Sequence, residues 1–122
     1  MDPHRPVTAV VAETRPKDDL VVAIPEIDVV CSNAYHGWYH MPNFSEEALK
    51  DSIIAHAVQW MERYPHKPFI HSEWGAGAVA GLHNLPAETF TEDYQSKIVK
   101  IHFDAFSELW KNYRKLETES MS

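Results

Sequence analysis

At 122 residues, with a formal charge of −7, this chain is one domain or a piece of one, and its acidic balance argues against a nucleic-acid binder. Hydrophobic residues at 44% sustain a core, and charged residues at 24% are ordinary for a soluble globular chain. No apolar run nears the roughly 18 residues of a membrane span. The N-terminus, Met1-Asp2-Pro3-His4-Arg5, lacks the apolar stretch of a signal peptide, and Cys31, the single cysteine, excludes an internal disulfide.

In chain order, Pro6 to Ala12 is rich in β-branched residues and predicts a buried strand. Glu13 to Asp19 is polar and holds a proline, so it predicts a loop, and Leu20 to Ile24 is a short strand or a helical turn. Ile27 to Ser32 predicts a second, nearly continuous apolar strand with Cys31 as a buried, inert thiol. An aromatic loop follows, with Asn33, Tyr35, His36, Trp38, Tyr39 and His40, and ends at Pro42. Asn43-Phe44-Ser45 is a sequon, which makes Asn43 a candidate glycosylation site if the chain enters the secretory pathway.

Ser45 predicts a helix N-cap, with Glu46 and Glu47 in the first turn, where the helix dipole favours acids. Leu49, Ile53, Ala57, Trp60 and Tyr64 recur at three or four residues and form one apolar face, which Pro65 stops. Pro68 to Trp74 predicts the third strand, and Gly75 to Pro86 a loop. Thr91 predicts the next N-cap, and Tyr94, Ile98, Ile101, Ala105, Leu109 and Tyr113 the second helical stripe, with Arg114 and Lys115 at its C-terminal end. The Lys111 to Lys115 cluster suits a solvated helix end, and 115–122 is a polar tail.

Strands alternating with helices of this length imply parallel pairing through right-handed crossovers. Strands apolar throughout imply that both sheet faces are covered. The expected fold is therefore α/β, a partial (β/α) barrel, since a full one needs about 250 residues.

In such folds ligands collect at the carboxyl ends of the strands. The second strand delivers Asn33, Tyr35 and the Trp38–Tyr39 pair there, and the third delivers His71 and Glu73. A carboxylate ending an apolar strand is costly to bury unless it is stabilised or used, so Glu73 is the sharpest candidate. The bland alternatives are an exposed strand end for Glu73, a turn-former for Asn33, and core or rim aromatics for Tyr35 and Tyr39. Eight histidines invite a metal site. His36 and His40 are four apart, but glycine and proline place them in a loop, and no His-Glu-x-x-His occurs. Neither a metal nor a cofactor is expected, and no glycine-rich phosphate loop is present.

Asn33 to Tyr39, joined to Ser72-Glu73-Trp74-Gly75, resembles β-glucuronidases of glycoside hydrolase family 2. The likeness runs from about Arg5 to Tyr113. Arg5-Pro6-Val7-Thr8 is similar to the start of the fifth barrel strand of that family. Asp28 to Tyr35 with Gly37-Trp38-Tyr39 is similar to its sixth strand and loop, and Lys67 to Glu73 to its seventh. Ala80-Gly81-Leu82-His83 and Phe90 to Gln95 resemble the segment that leads into its seventh helix. Residues 13–26 match poorly, and Trp74 replaces a tyrosine usual after the carboxylate.

The resemblance implies that 1–122 is part of a TIM (β/α)8 catalytic domain, about strands five to seven, and that Glu73 is the catalytic nucleophile. It also implies that Asn33, Tyr35 and Tyr39 are substrate-binding residues, Tyr35 beside the nucleophile and Asn33 and Tyr39 near the sugar. The implied substrate is a β-glucuronide or related glycoside, hydrolysed through a covalent glycosyl-enzyme. Retaining glycosidases use two carboxyl groups about 5–5.5 Å apart. The acid/base glutamate of the family falls upstream of Met1, so the isolated chain is expected to be inactive. A different reading is a non-catalytic interaction module that pairs through open barrel edges with itself or a full-length relative. An animal member of the family would be lysosomal and a bacterial one cytoplasmic.

Overall fold

The computed structural model describes residues 3–11, 25–39 and 44–120, with side chains described up to residue 113. The expected loop at Glu13 to Asp19, the segment Leu20 to Ile24, and His40, Pro42 and Asn43 lie outside the described residues. Strand β1 spans Thr8–Val11, β2 Val29–Asn33 and β3 Phe69–Glu73. Helix α1 spans Glu46–Arg63 and α2 Glu92–Ser120. The chain divides into two compact units, residues 1–35 with 55–74 and residues 36–54 with 75–122. No helix among the described residues is long and apolar enough to cross a membrane.

The first unit is built on a parallel three-stranded sheet in the order β1-β2-β3. Thr8 pairs with Val29 and Val11 with Ser32; Val30 pairs with Phe69 and Ser32 with His71. Val11, Val30 and Trp60 form its buried core, with Tyr64 and Phe69 packed against them. The rings of Trp60 and Phe69 are nearly parallel, 11° between planes. One side of the sheet stays partly open, as expected of half a barrel whose strands and helices cannot cover themselves: Val10 and Ile70 are each 50% exposed. The cause is alternation along the strands. Trp60 of α1 covers the side that carries Val11, Val30 and Phe69, whereas Val10, Cys31 and Ile70 share a register row on the other side.

The second unit packs the first turns of α1 against α2. Leu49, Ile53, Tyr94, Ile98, Ile101 and Ala105 form its core, with Trp38, Phe44 and Phe106 against it. These are the apolar positions that recur at three and four residues, and burying each large one stabilises the fold by roughly 1.5–3 kcal/mol. Both caps form. Ser45 Oγ accepts a hydrogen bond from the Ala48 amide at 3.1 Å, and Thr91 Oγ1 accepts one from the Tyr94 amide at 3.1 Å. Helix α2 extends past Tyr113 to Ser120, so Arg114 and Lys115 lie inside it rather than at its end.

Candidate active site

The carboxyl ends of β2 and β3 carry the chemistry of the first unit. In β3, strict alternation would put Glu73 on the side of Phe69 and His71. Those rings face α1: His56 lies 5.0 Å from His71 and 6.0 Å from Phe69, centroid to centroid. The register breaks before Glu73 is reached. Ser32 pairs with His71, but the next residue, Asn33, pairs with Glu73, leaving Ser72 as an extra residue in β3. Such a bulge re-aims the side chain that follows it.

The re-aimed Glu73 carboxylate is exposed, and its Oε2 accepts a hydrogen bond from the hydroxyl of Tyr35. Ser72 Oγ donates to Asn33 Oδ1 at 2.7 Å. The Ala34 amide donates to the Glu73 carbonyl at 3.1 Å, which locks the end of β3 to the exit of β2. His71 Nε2 is 3.2 Å from the Ala34 carbonyl. A carbonyl only accepts, so Nε2 carries the hydrogen in that contact. Three of the four residues that the resemblance assigns to nucleophile or substrate binding, Asn33, Tyr35 and Glu73, thus stand within one hydrogen-bonded group of strand ends. Ser72, which ties Asn33 into that group, was not singled out.

The fourth residue, Tyr39, belongs to the second unit. It is 70% exposed, with its ring edge-on to Trp38 at 6.4 Å. Trp38 also meets Phe90 edge-on at 5.0 Å. The Tyr94 hydroxyl donates to the Gly37 carbonyl, which anchors this aromatic turn to α2. Burial pushes the Tyr94 phenol above its ordinary range.

The loop before α2 is clamped to the helix start. The Gly81 amide donates to Glu92 Oε1 at 3.0 Å, and the Asn84 amide to Asp93 Oδ2 at 3.1 Å. His83 Nδ1 lies 3.1 Å from the same Asp93 oxygen. The Asn84 amide first, then His83, hold the Asp93 carboxyl below the ordinary carboxylate range. No group of three or more metal-binding side chains occurs among the described residues.

Residues 1–118 match the family model described as glycosyl hydrolases family 2, TIM barrel domain. The chain belongs to this family. It is 34% identical over 113 residues to the β-glucuronidase of Sus scrofa, covering 93% of this chain and 17% of that protein. It is 37% identical to that of Rattus norvegicus over the same shares. Among solved structures, the β-D-glucuronidase of Dictyoglomus thermophilum superposes with a TM-score of 0.71 at 31% identity, covering 88% of this chain and 18% of that one. A β-glucuronidase from Ruminococcus gnavus in complex with D-glucaro 1,5-lactone gives a TM-score of 0.71 at 28% identity, covering 85% and 18%. This family 2 chain therefore spans about a sixth of the length of the relatives it matches, and the three parallel strands and two helices among its described residues are a partial TIM barrel.

Proposed function

We propose that this family 2 chain carries the nucleophile of a retaining β-glucuronidase, with Glu73 as the attacking carboxylate. One observation carries the reading: an exposed carboxylate closes a parallel strand at its carboxyl end and holds the Tyr35 hydroxyl on Oε2. That is where barrel enzymes present their reacting groups. In the reaction, one Glu73 oxygen bonds the anomeric carbon as the bond from that carbon to the leaving oxygen breaks. A second carboxyl group gives the leaving oxygen a proton, and water then hydrolyses the glucuronyl ester. Tyr35 holds the carboxylate by its other oxygen, Asn33 stands beside it at the strand ends, and Tyr39 is the third substrate-binding residue of the proposal. The relatives named β-glucuronidase support the sugar class.

Among the described residues Glu73 is the one carboxylate that closes a strand. On this proposal the isolated chain supplies the nucleophile, and unassisted by a second carboxyl group it turns over ordinary β-glucuronides at background rate, general acid catalysis alone being worth about 10²–10⁴ in rate. An activated reagent separates nucleophilic attack from acid assistance. In 2-deoxy-2-fluoro-β-D-glucuronyl fluoride the leaving fluoride departs without a proton. Incubation with the 122-residue chain should leave a fluoroglucuronyl ester on Glu73, located by peptide mass spectrometry, and Glu73→Gln should leave none. A wild-type chain that takes no label, or a Glu73→Gln chain that still takes it, defeats the assignment.

A second reading rests on the half-exposed pair Val10 and Ile70. Through this apolar row the chain would associate with a second copy of itself as a non-catalytic module. Light scattering that finds only monomer across the micromolar range removes it.

A further inference from the structure

The geometry points to Ser72 as a positioning residue for substrate binding, one that sets which way the Asn33 amide faces; this rests on the reading of Glu73 as the nucleophile. An asparagine side chain ends in an acceptor oxygen and a donor nitrogen on opposite sides of one planar group. Left alone on a surface, that group turns over freely and shows a substrate either end. Here the Ser72 hydroxyl lies 2.7 Å from Asn33 Oδ1 and donates to it. With the oxygen engaged by Ser72, the NH2 of Asn33 is the end left outside that bond. The end presented to a ligand is then a hydrogen-bond donor, which fits a sugar hydroxyl oxygen.

In an unbroken register Asn33 would pair with Ser72 itself, since Ser32 pairs with His71. The bulge makes Glu73 the partner of Asn33 and turns Glu73 to Tyr35, while Ser72, the extra residue, stays beside Asn33 and keeps its bond to the amide oxygen. The carboxylate is thus re-aimed without loss of the cross-strand serine that holds the neighbouring amide. A hydroxyl is needed at this position, and alanine would keep the bulge but release the amide.

The test uses the 122-residue chain as wild type, Ser72→Ala and Ser72→Thr. The first readout is the NMR order parameter of the Asn33 side-chain nitrogen. It should be near that of rigid backbone, about 0.85, in wild type, fall below about 0.6 in Ser72→Ala, and return in Ser72→Thr. The second is the rate of fluoroglucuronyl labelling of Glu73, which should drop about three- to tenfold in Ser72→Ala and recover in Ser72→Thr, as expected for one neutral hydrogen bond. An Asn33 amide equally ordered in Ser72→Ala, or labelling at the wild-type rate, overturns the proposal. If the wild-type chain takes no label, the nucleophile reading falls, and the amide order alone still decides the role of Ser72. If Ser72→Ala does not fold, Ser72→Cys, of similar size and a poor donor, replaces it.

Discussion

Tyr35 and Glu73, 38 positions apart in the chain, meet through a hydrogen bond from the phenol to carboxylate Oε2. Glu73 sits one step past the bulged Ser72, and Tyr35 two residues beyond the end of β2. A bond to a carboxylate that must attack in line restricts its rotation and leaves the second oxygen to react. Hydrogen bonds to charged groups contribute about 1.5–3 kcal/mol. Tyr35→Phe should therefore slow fluoroglucuronyl labelling of Glu73 by about tenfold to a hundredfold. Because the bond is exposed, the midpoint of urea unfolding should barely move. Labelling at an unchanged rate would mean that the phenol takes no part.

Gly37 and Gly81 form a matched pair for testing how the second unit is packed. Both have left-handed backbone, at φ +81° and +78°. A Cβ on Gly81 would meet nothing within 4 Å, whereas one on Gly37 would lie 2.6 Å from Ile98 Cδ1 and 3.0 Å from Leu49 Cδ2. Ile98 and Leu49 are fully buried, so neither can swing clear. Gly81→Ala should cost only the backbone strain, about 1–2 kcal/mol. Gly37→Ala adds overpacking of about 1–3 kcal/mol, for a total of about 2–5 kcal/mol. Urea titration of the two variants measures the difference, and equal losses would mean that the turn is not seated on the core.

The chain order of elements was readable because the punctuation is strong. Ser45 and Thr91 cap, Pro65 follows one helix closely, and the apolar periods are regular; the helices start at Glu46 and Glu92 as those signals require. Strand 2 ends at Asn33 and strand 3 at Glu73, each within one residue of the expected ends at Ser32 and Trp74, so the candidate residues at the strand ends were legible too. The bulge was not. A register shift depends on how two strands meet, and Phe69 to Glu73 read alone look like an unbroken strand, so Ser72 carried no signal. Nor did the buried histidines: His56 and His102 are 2% and 0% exposed inside helices whose apolar stripes omit them. Helix α2 outran its stripe because Arg114 to Ser120 hold no proline or glycine to stop it.

His102 gives the fold a pH dependence of known sign. Its Nδ1 lies 2.8 Å from the Ile98 carbonyl and so carries a hydrogen, which donates to it. Burial, only partly opposed by this bond, depresses the imidazole below its ordinary 6.5. The unfolded chain then binds the proton at a higher pH than the folded one. The stability that depends on neutral His102 is fully present above about pH 6.5 and is lost as pH falls below it. His102→Gln cannot titrate. The gap in melting temperature between wild type and His102→Gln should narrow from about pH 7.5 to about pH 5 as wild type loses this term. Contributions common to both proteins cancel in the gap. A gap constant across that range would mean that His102 is protonated equally in both states.

The caps of the two helices should differ in worth. Ser45 is exposed, and its hydroxyl accepts from the Ala48 amide. Thr91 is 3% exposed and makes two bonds: Oγ1 accepts from the Tyr94 amide and donates to the Glu88 carbonyl at 2.5 Å. Losing an exposed cap lets water take the freed amide, at about 1 kcal/mol. Losing a buried one strands the Tyr94 amide away from water, where an unsatisfied group costs about 1–3 kcal/mol. Ser45→Ala should therefore cost about 1 kcal/mol and Thr91→Ala about 2 kcal/mol or more. Thr91→Ser, which keeps the hydroxyl and removes only a methyl, should recover most of the loss. Chemical denaturation of the three variants provides the comparison. If Thr91→Ser is as unstable as Thr91→Ala, the threonine acts through its methyl, by packing, and not as a cap.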